Sequence, residues 1–346
     1  MTRKFRMLMV GAASLVTLVF AGAAYAAFTP TLAIGHTPPT AGSSATSFRL
    51  TVPRDDDALF KASFYVPAGY TATLGQAPGT QLGTVAAQVL VREPIAGAVL
   101  PLTGAVVVTD QATVGAAIAQ CTQTAAAHAA YWVLVLQAAG QELRVPMVID
   151  PVAGPLSAVA SYQMQVCLPS PHIPVSAGGA TFGAKLIQAQ INLNNVLRAP
   201  TSGGTYRWHA VTTPWPNAPA PPNIAGTVTA QGTAMLAGAI SLSATSRKRV
   251  VTVTGRLTEA GQGIGARAVT VRIGTRNYSV RTNAAGTFRK AVRIARGSRV
   301  AVRATAAVPA RTGACTTTSP FAPLPCVSDT SQFFTATRSI VSRVRS

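Results

Sequence analysis

Seven arginines in the last third of the chain carry its clearest chemical signal: Arg256, Arg272, Arg281, Arg289, Arg293, Arg299 and Arg303. Each sits in a segment where aliphatic and polar residues alternate, so the guanidinium groups are expected on the solvent side of strands. Outward arginines can neutralise phosphates or sulfates, and each phosphate neutralised on a duplex would steepen the log–log salt dependence by about 0.9. Residues 247–346 hold eighteen Lys or Arg against two acids, Glu259 and Asp329, which is +16 of the chain's +20. Residues 27–246 hold eight basic and seven acidic residues. A basic region joined to a nearly neutral one implies attraction to polyanions. The same alternation also produces a basic surface that is merely solvated.

Catalytic patterns are thin. Of the nine acids, Glu93, Asp110, Glu142, Asp150, Glu259 and Asp329 stand apart from one another, so no paired carboxylates arise from spacing. There is no G-x-S-x-G, H-E-x-x-H or P-loop. His36, His128, His172 and His209 fall in separate segments without metal-ligand spacing. The run Asp55-Asp56-Asp57 offers three hard oxygen ligands of the kind Ca²⁺ takes. It lacks the alternating spacing of a calcium loop, and the plainer reading is a solvated turn paired with Arg54 or Lys61. The reading is non-enzymatic, with no cofactor and no metal. A secreted hydrolase using His128, Asp110 or Asp150 is the rival.

The four cysteines, Cys121, Cys167, Cys315 and Cys326, allow three pairings, and nearest-neighbour bridging is the simplest. Among the aromatics, Tyr206 and Trp208 share a strand face and are expected in the core. Trp215 lies between Pro214 and Pro216 and is the better candidate for an exposed anchor on a sugar, although packing within the loop is the favoured reading.

The elements that must position these residues read as β almost throughout. Runs rich in β-formers at 48–52, 62–66, 85–91, 99–109, 131–136, 143–149, 162–167, 185–193 and 206–212 are separated by Gly, Pro and Asn clusters. One short helix within 111–130 is as well supported as none. The proline-rich 214–222 segment reads as a hairpin loop leading to a strand near 226–230. Asp150-Pro151 would mark a seam if the front region were two packed sandwiches. Within the basic region, Lys290 falls in phase with the core residues Phe288 and Val292, which a bulge or an edge strand would resolve.

The first 26 residues have the form of a secretory signal peptide: Arg3, Lys4 and Arg6, an apolar run from Met7 to Ala21, then Ala24-Tyr25-Ala26. The expected location is therefore secreted or extracytoplasmic, with cell-wall association a further option and no transmembrane segment after cleavage. The expected organisation is a signal peptide (1–26), a β-sandwich region of one large or two packed sandwiches (27–234), and a basic β-sandwich (235–346).

Gly255-Arg256-Leu257-Thr258, then Gly263-Ile264-Gly265-Ala266-Arg267-Ala268-Val269-Thr270-Val271, resemble the opening of carboxypeptidase-regulatory-like and related bacterial immunoglobulin-like domains. Thr282-Asn283-Ala284-Ala285-Gly286-Thr287-Phe288 is similar to their turn, with Asn and Gly in turn conformations and Phe288 plugging the core. The resemblance covers about 240–307 and implies a non-catalytic β-sandwich on a secreted protein. The front region broadly resembles uncharacterised secreted bacterial proteins. The fold class expected is thus all-β, as tandem immunoglobulin-like β-sandwich domains. The function expected is a secreted binding or structural protein whose basic domain associates with an anionic cell-wall polymer or polysaccharide, with no specific nucleic acid. An adhesive protein or glycan-binding module with the basic domain as spacer is the alternative.

Overall fold

The computed structural model describes residues 27–91, 97–138, 140–173, 175–177, 183–201, 203–216, 219–236, 238–259, 261–295, 299–309, 331–336 and 342–343. The front strands are β1 (Thr31–His36), β2 (Ala45–Thr51), β3 (Ala58–Pro67), β4 (Thr71–Ala72), β5 (Gln81–Leu90), β6 (Val99–Thr109), β7 (Ala130–Ala138), β8 (Gln141–Pro151), β9 (Ala160–Cys167), β10 (Lys185–Asn194), β11 (Leu197–Arg198), β12 (Gly204–Trp215) and β13 (Val228–Leu236). Strands β4 and β11 pair with each other. The other eleven form one antiparallel sheet in the order β1-β2-β10-β5-β6-β7-β8-β9-β3-β12-β13. Its two ends come together: β1 runs beside β13, and a Cβ at Gly232 would lie 2.9 Å from the Leu32 carbonyl oxygen. The result is a near-closed barrel, which limits the exposed edges that an open sheet would present.

Alternation explains the interior. Phe48 and Leu50 on β2, Phe64 and Val66 on β3, Trp132 and Leu134 on β7, Met147 and Ile149 on β8 and Trp208 on β12 are buried in one core. Strands β7 and β8 are buried on their outer face as well, because α1 (Gln111–Thr122) packs Val114 and Ile118 against Tyr131 and Val148. Asp110 starts this helix by accepting a hydrogen bond from the Thr113 amide at 2.8 Å. Lys61 ends it by donating from Nζ to the Cys121 carbonyl at 3.2 Å, a cation where the helix dipole is negative. The Cys121–Cys167 disulfide then ties the helix to β9. The helix is shorter than the 111–130 window, and the outer face it covers is what selects it.

The proline-rich segment is the hairpin loop between β12 and β13, which pair from Gly204–Leu236 to Thr212–Val228. Asp150 and Pro151 lie inside the β8–β9 ladder, opposite Gln163 and Tyr162, so that dipeptide is not a seam. Leu236 still belongs to the front core, and Ile240 begins a second one.

That second core is enclosed by β14 (Ala239–Arg247), β15 (Val250–Glu259), β16 (Gln262–Gly263), β17 (Ala268–Ile273), β18 (Arg276–Arg281), β19 (Thr287–Arg293), β20 (Arg299–Val300), β21 (Val302–Pro309), β22 (Ser331–Ala336) and β23 (Ser342–Arg343). One sheet joins β14, β15, β16 and β19, with β15 between β14 and β19. The other has the order β18-β17-β21-β22, and β20 pairs with β23. Val251, Val253, Leu257, Val269, Val271, Phe288, Val302 and Ala304 fill the space between the two sheets. Gly255 lies opposite Phe288 on the β15–β19 ladder, and a Cβ there would sit 2.3 Å from Phe288 Cζ, so only glycine leaves room for the ring. The chain is thus all-β, with one α-helix among the described residues. No described helix is long and apolar enough to cross a membrane.

Candidate functional site

The strands distribute the arginines over two faces. Arg256 on β15, with Arg289 and Arg293 on β19, faces outward from the first sheet. Arg272 on β17 and Arg303 on β21 face outward from the second, where they are direct cross-strand partners. Arg281 ends β18, the edge strand of the second sheet, and reaches the rim of the first. Arg299 lies in β20, but its side chain falls outside the described residues. The single basic sheet expected from the alternation is therefore two opposed surfaces.

Three of the seven arginines meet. Arg256, Arg281 and Arg289 line a shallow, open concavity of about 680 Å³ together with Ser241, Ser243, Thr254, Asn283 and Thr287. Arg256 is held there by a bond from its Nε to the Ala285 carbonyl at 3.0 Å, which orients the guanidinium fork. Ala285 belongs to the turn before β19. In that turn the Gly286 amide donates to the Asn283 carbonyl at 2.8 Å, the Thr287 amide donates to Asn283 Oδ1 at 2.9 Å, and Gly286 has φ of 76°. The buried Thr282 hydroxyl donates to the Ile264 carbonyl at 2.7 Å and anchors the turn to the preceding loop. Among the described residues, none of the three guanidinium groups ion-pairs with a carboxylate.

Lys290 keeps its inward phase without a bulge, because β19 is an edge strand. Its Nζ rests 4.9 Å from the centroid of the Tyr278 ring on β18, closing the open side of the two sheets with a cation–π contact.

The other candidates are placed as follows. The three aspartates diverge: Asp55 is exposed, Asp56 accepts from the Thr29 hydroxyl at 2.9 Å, and Asp57 is buried. Burial raises the Asp57 pKa, partly offset by the nearby Lys185. Lys185, not Arg54 or Lys61, is the cation beside the run, donating to the Arg54 carbonyl at 2.7 Å and to that of Asp56. Arg54 instead donates to Gly97, and Lys61 to Cys121. No group of three or more His, Cys, Asp or Glu residues assembles among the described residues. Trp215 is packed: its Nε1 donates to the Leu168 carbonyl at 3.1 Å and its ring meets Phe60 edge-on. Cys315 and Cys326 lie outside the described residues.

The fold joins His128 and Asp150, which lie in separate segments of the sequence. His128 Nδ1 lies 2.7 Å from Asp150 Oδ2, and the Ala129 amide donates to Asp150 Oδ1 at 3.0 Å. The His128 amide donates to the Tyr131 hydroxyl, and its Nε2 is buried. The pair fastens the loop after α1 to the end of β8, and Asp110 is occupied in capping that helix. Twenty-two residues of separation gave no local signal for this contact.

A near-closed antiparallel sheet, a second pair of facing sheets and a basic concavity on one of them define this chain as an all-β protein. No family model matches it. No curated protein matches it either. Among solved structures, one described as "Ca2+-stabilized adhesin helps an Antarctic bacterium reach out and bind ice" aligns with 90% of this chain and 99% of that one, at 11% identity and a TM-score of 0.16. A score that low carries no argument about fold or activity.

Proposed function

We propose that this is a secreted, non-enzymatic binding protein whose basic C-terminal region, an immunoglobulin-like β-sandwich, associates with an anionic polymer of the cell envelope. The observation that carries the reading is the meeting of Arg256, Arg281 and Arg289 in one concavity without a described carboxylate partner. Cations that are not spent on internal ion pairs remain available to an external anion. The signal-like first 26 residues and the disulfide fit an oxidising, extracytoplasmic setting. The non-enzymatic part rests on the dispersal of the acids and on the structural engagement of His128, Asp110 and Asp150.

The test is sedimentation of the full chain with isolated cell walls, before and after extraction of their anionic polymers, over a salt series. Binding should weaken with salt at a log–log slope of about two to three for three neutralised charges, and it should vanish on extraction. Salt-insensitive binding, or no binding at low ionic strength, refutes the proposal.

A further inference from the structure

We infer that the ligand is an acidic polysaccharide and that it docks on one surface, the outer face of β14, β15 and β19. This rests on the polyanion reading above and narrows it to a face and a chemistry. The ladders put the outward residues of this face in rows: Ser241–Arg256–Thr287, Ser243–Thr254–Arg289, Thr245–Thr252–Ala291 and Arg247–Val250–Arg293. Rows follow one another at about 6.8 Å along the strands, and strands lie about 4.8 Å apart. Arg256 thus lies between two hydroxyl residues and Arg289 beside one, with Thr245 and Thr252 in the next row, so cations and hydroxyl groups are mixed across the face.

That mixture selects among polyanions. Each guanidinium presents a fork of donors to a carboxylate or sulfate. Each Ser or Thr hydroxyl both donates and accepts, which matches the hydroxyl groups of a sugar. A chain in which acidic groups are separated by neutral, hydroxyl-bearing rings meets both kinds of group at once. A polymer with a charge at every link offers no neutral ring to the hydroxyl-bearing part of the face, where Ser243 and Thr254 already bond to each other at 2.7 Å. The rows hold no aromatic residue, so nucleobases find no stacking platform here. The face also has no helix to enter a groove.

The second sheet is the internal comparison. Its Arg272 and Arg303 are equally outward, but they oppose each other directly and line no concavity with the first three. The Arg272 Nε is turned back to the Gly274 carbonyl at 3.1 Å. Net charge is the same for either pair, so only a ligand that reads the face can tell them apart.

The experiment measures binding of the full chain to hyaluronate, in which each carboxylate-bearing ring is followed by a neutral one, to neutral dextran and to inorganic polyphosphate of matched length. It uses the wild type, R256S/R289S and R272S/R303S, with circular dichroism confirming that each variant is folded. All four positions are exposed, so the substitutions spare the core. The wild type should bind hyaluronate and not dextran. R256S/R289S should lose at least about tenfold in affinity, the value of one charged hydrogen bond, and R272S/R303S less than about twofold. Equal losses in the two double variants would overturn the assignment of a face while leaving the polyanion reading standing. Preference for polyphosphate would overturn the polysaccharide chemistry. A wild type that binds no polyanion would remove both this inference and the reading beneath it.

Discussion

His36 Nε2 lies 2.8 Å from the Tyr70 hydroxyl inside the front sheet, and the Thr46 hydroxyl lies 3.2 Å from the other ring nitrogen. Trp208 Nε1 donates to the same tyrosine oxygen at 3.4 Å. Every polar atom of this buried group has a partner while the imidazole is neutral, so protonation disturbs the whole set.

Acid should therefore weaken the fold well above the carboxylate range. Burial depresses the His36 pKa from 6.5 to about 4, and His209 is depressed to about 4 by burial and by Arg207. The unfolded chain binds more protons than the folded one between these values, so stability falls as pH drops from 6.5 to 4. For His36 the loss amounts to about 2 kcal/mol once solvent screening is allowed for. Urea midpoints measured from pH 7 to pH 4 should show this slope, and His36→Gln should reduce it to the part that His209 contributes. An unchanged slope in that variant would show that His36 is not its source.

Opening the Cys121–Cys167 bridge should destabilise the front sheet by about 4 kcal/mol, the loop-closure value for a separation of 46 residues. The loss is expected to begin at α1, which the bridge holds against β7 and β8. Hydrogen exchange of the Cys121→Ser/Cys167→Ser variant should show earliest opening at residues 111–122. Uniform exchange across the sheet would contradict this order.

Phe288→Ala should cost the second core about 3–5 kcal/mol, because the ring occupies space that Gly255 cannot fill. The three tryptophans, Trp132, Trp208 and Trp215, all lie in the front sheet, so their fluorescence reports that sheet alone. The circular-dichroism transition of the variant should gain an early component while the fluorescence midpoint stays in place. A shift of both together would show that the two cores unfold as one.

Trp215→Ala should lower stability by about 2 kcal/mol through loss of the Phe60 contact and the bond to Leu168. Polyanion binding should be unaltered, since the residue lies in the front sheet and outside the basic concavity. A binding defect with normal stability would restore its role as an anchor.

The strands were legible because a period of two is a local property: Val251, Val253 and Leu257 state which side of β15 is inside without reference to any other segment. The same holds for the Asn283–Gly286 turn, whose conformation is set by residues adjacent in the chain. β1 carries no such signal, because Thr31–His36 includes glycine and histidine and is held as a strand by pairing with β2. Helix α1 is not legible in its own residues, because its apolar stripe is narrow and it depends on the Tyr131 and Val148 surface it covers.

Composition and short-range alternation suffice for the all-β class, the outward phase of the arginines, and the separation of a nearly neutral region from a basic one. Each of these follows from alternation or composition within a short window. Long-range assembly is what closes the front strands toward a barrel, brings His128 to Asp150, and gathers Arg256, Arg281 and Arg289 in a concavity from which Arg272 and Arg303 face away. Those relations depend on which strands pair and in what order. Pairing is chosen by the burial of whole faces against partners far away in the chain, and no local pattern encodes that choice.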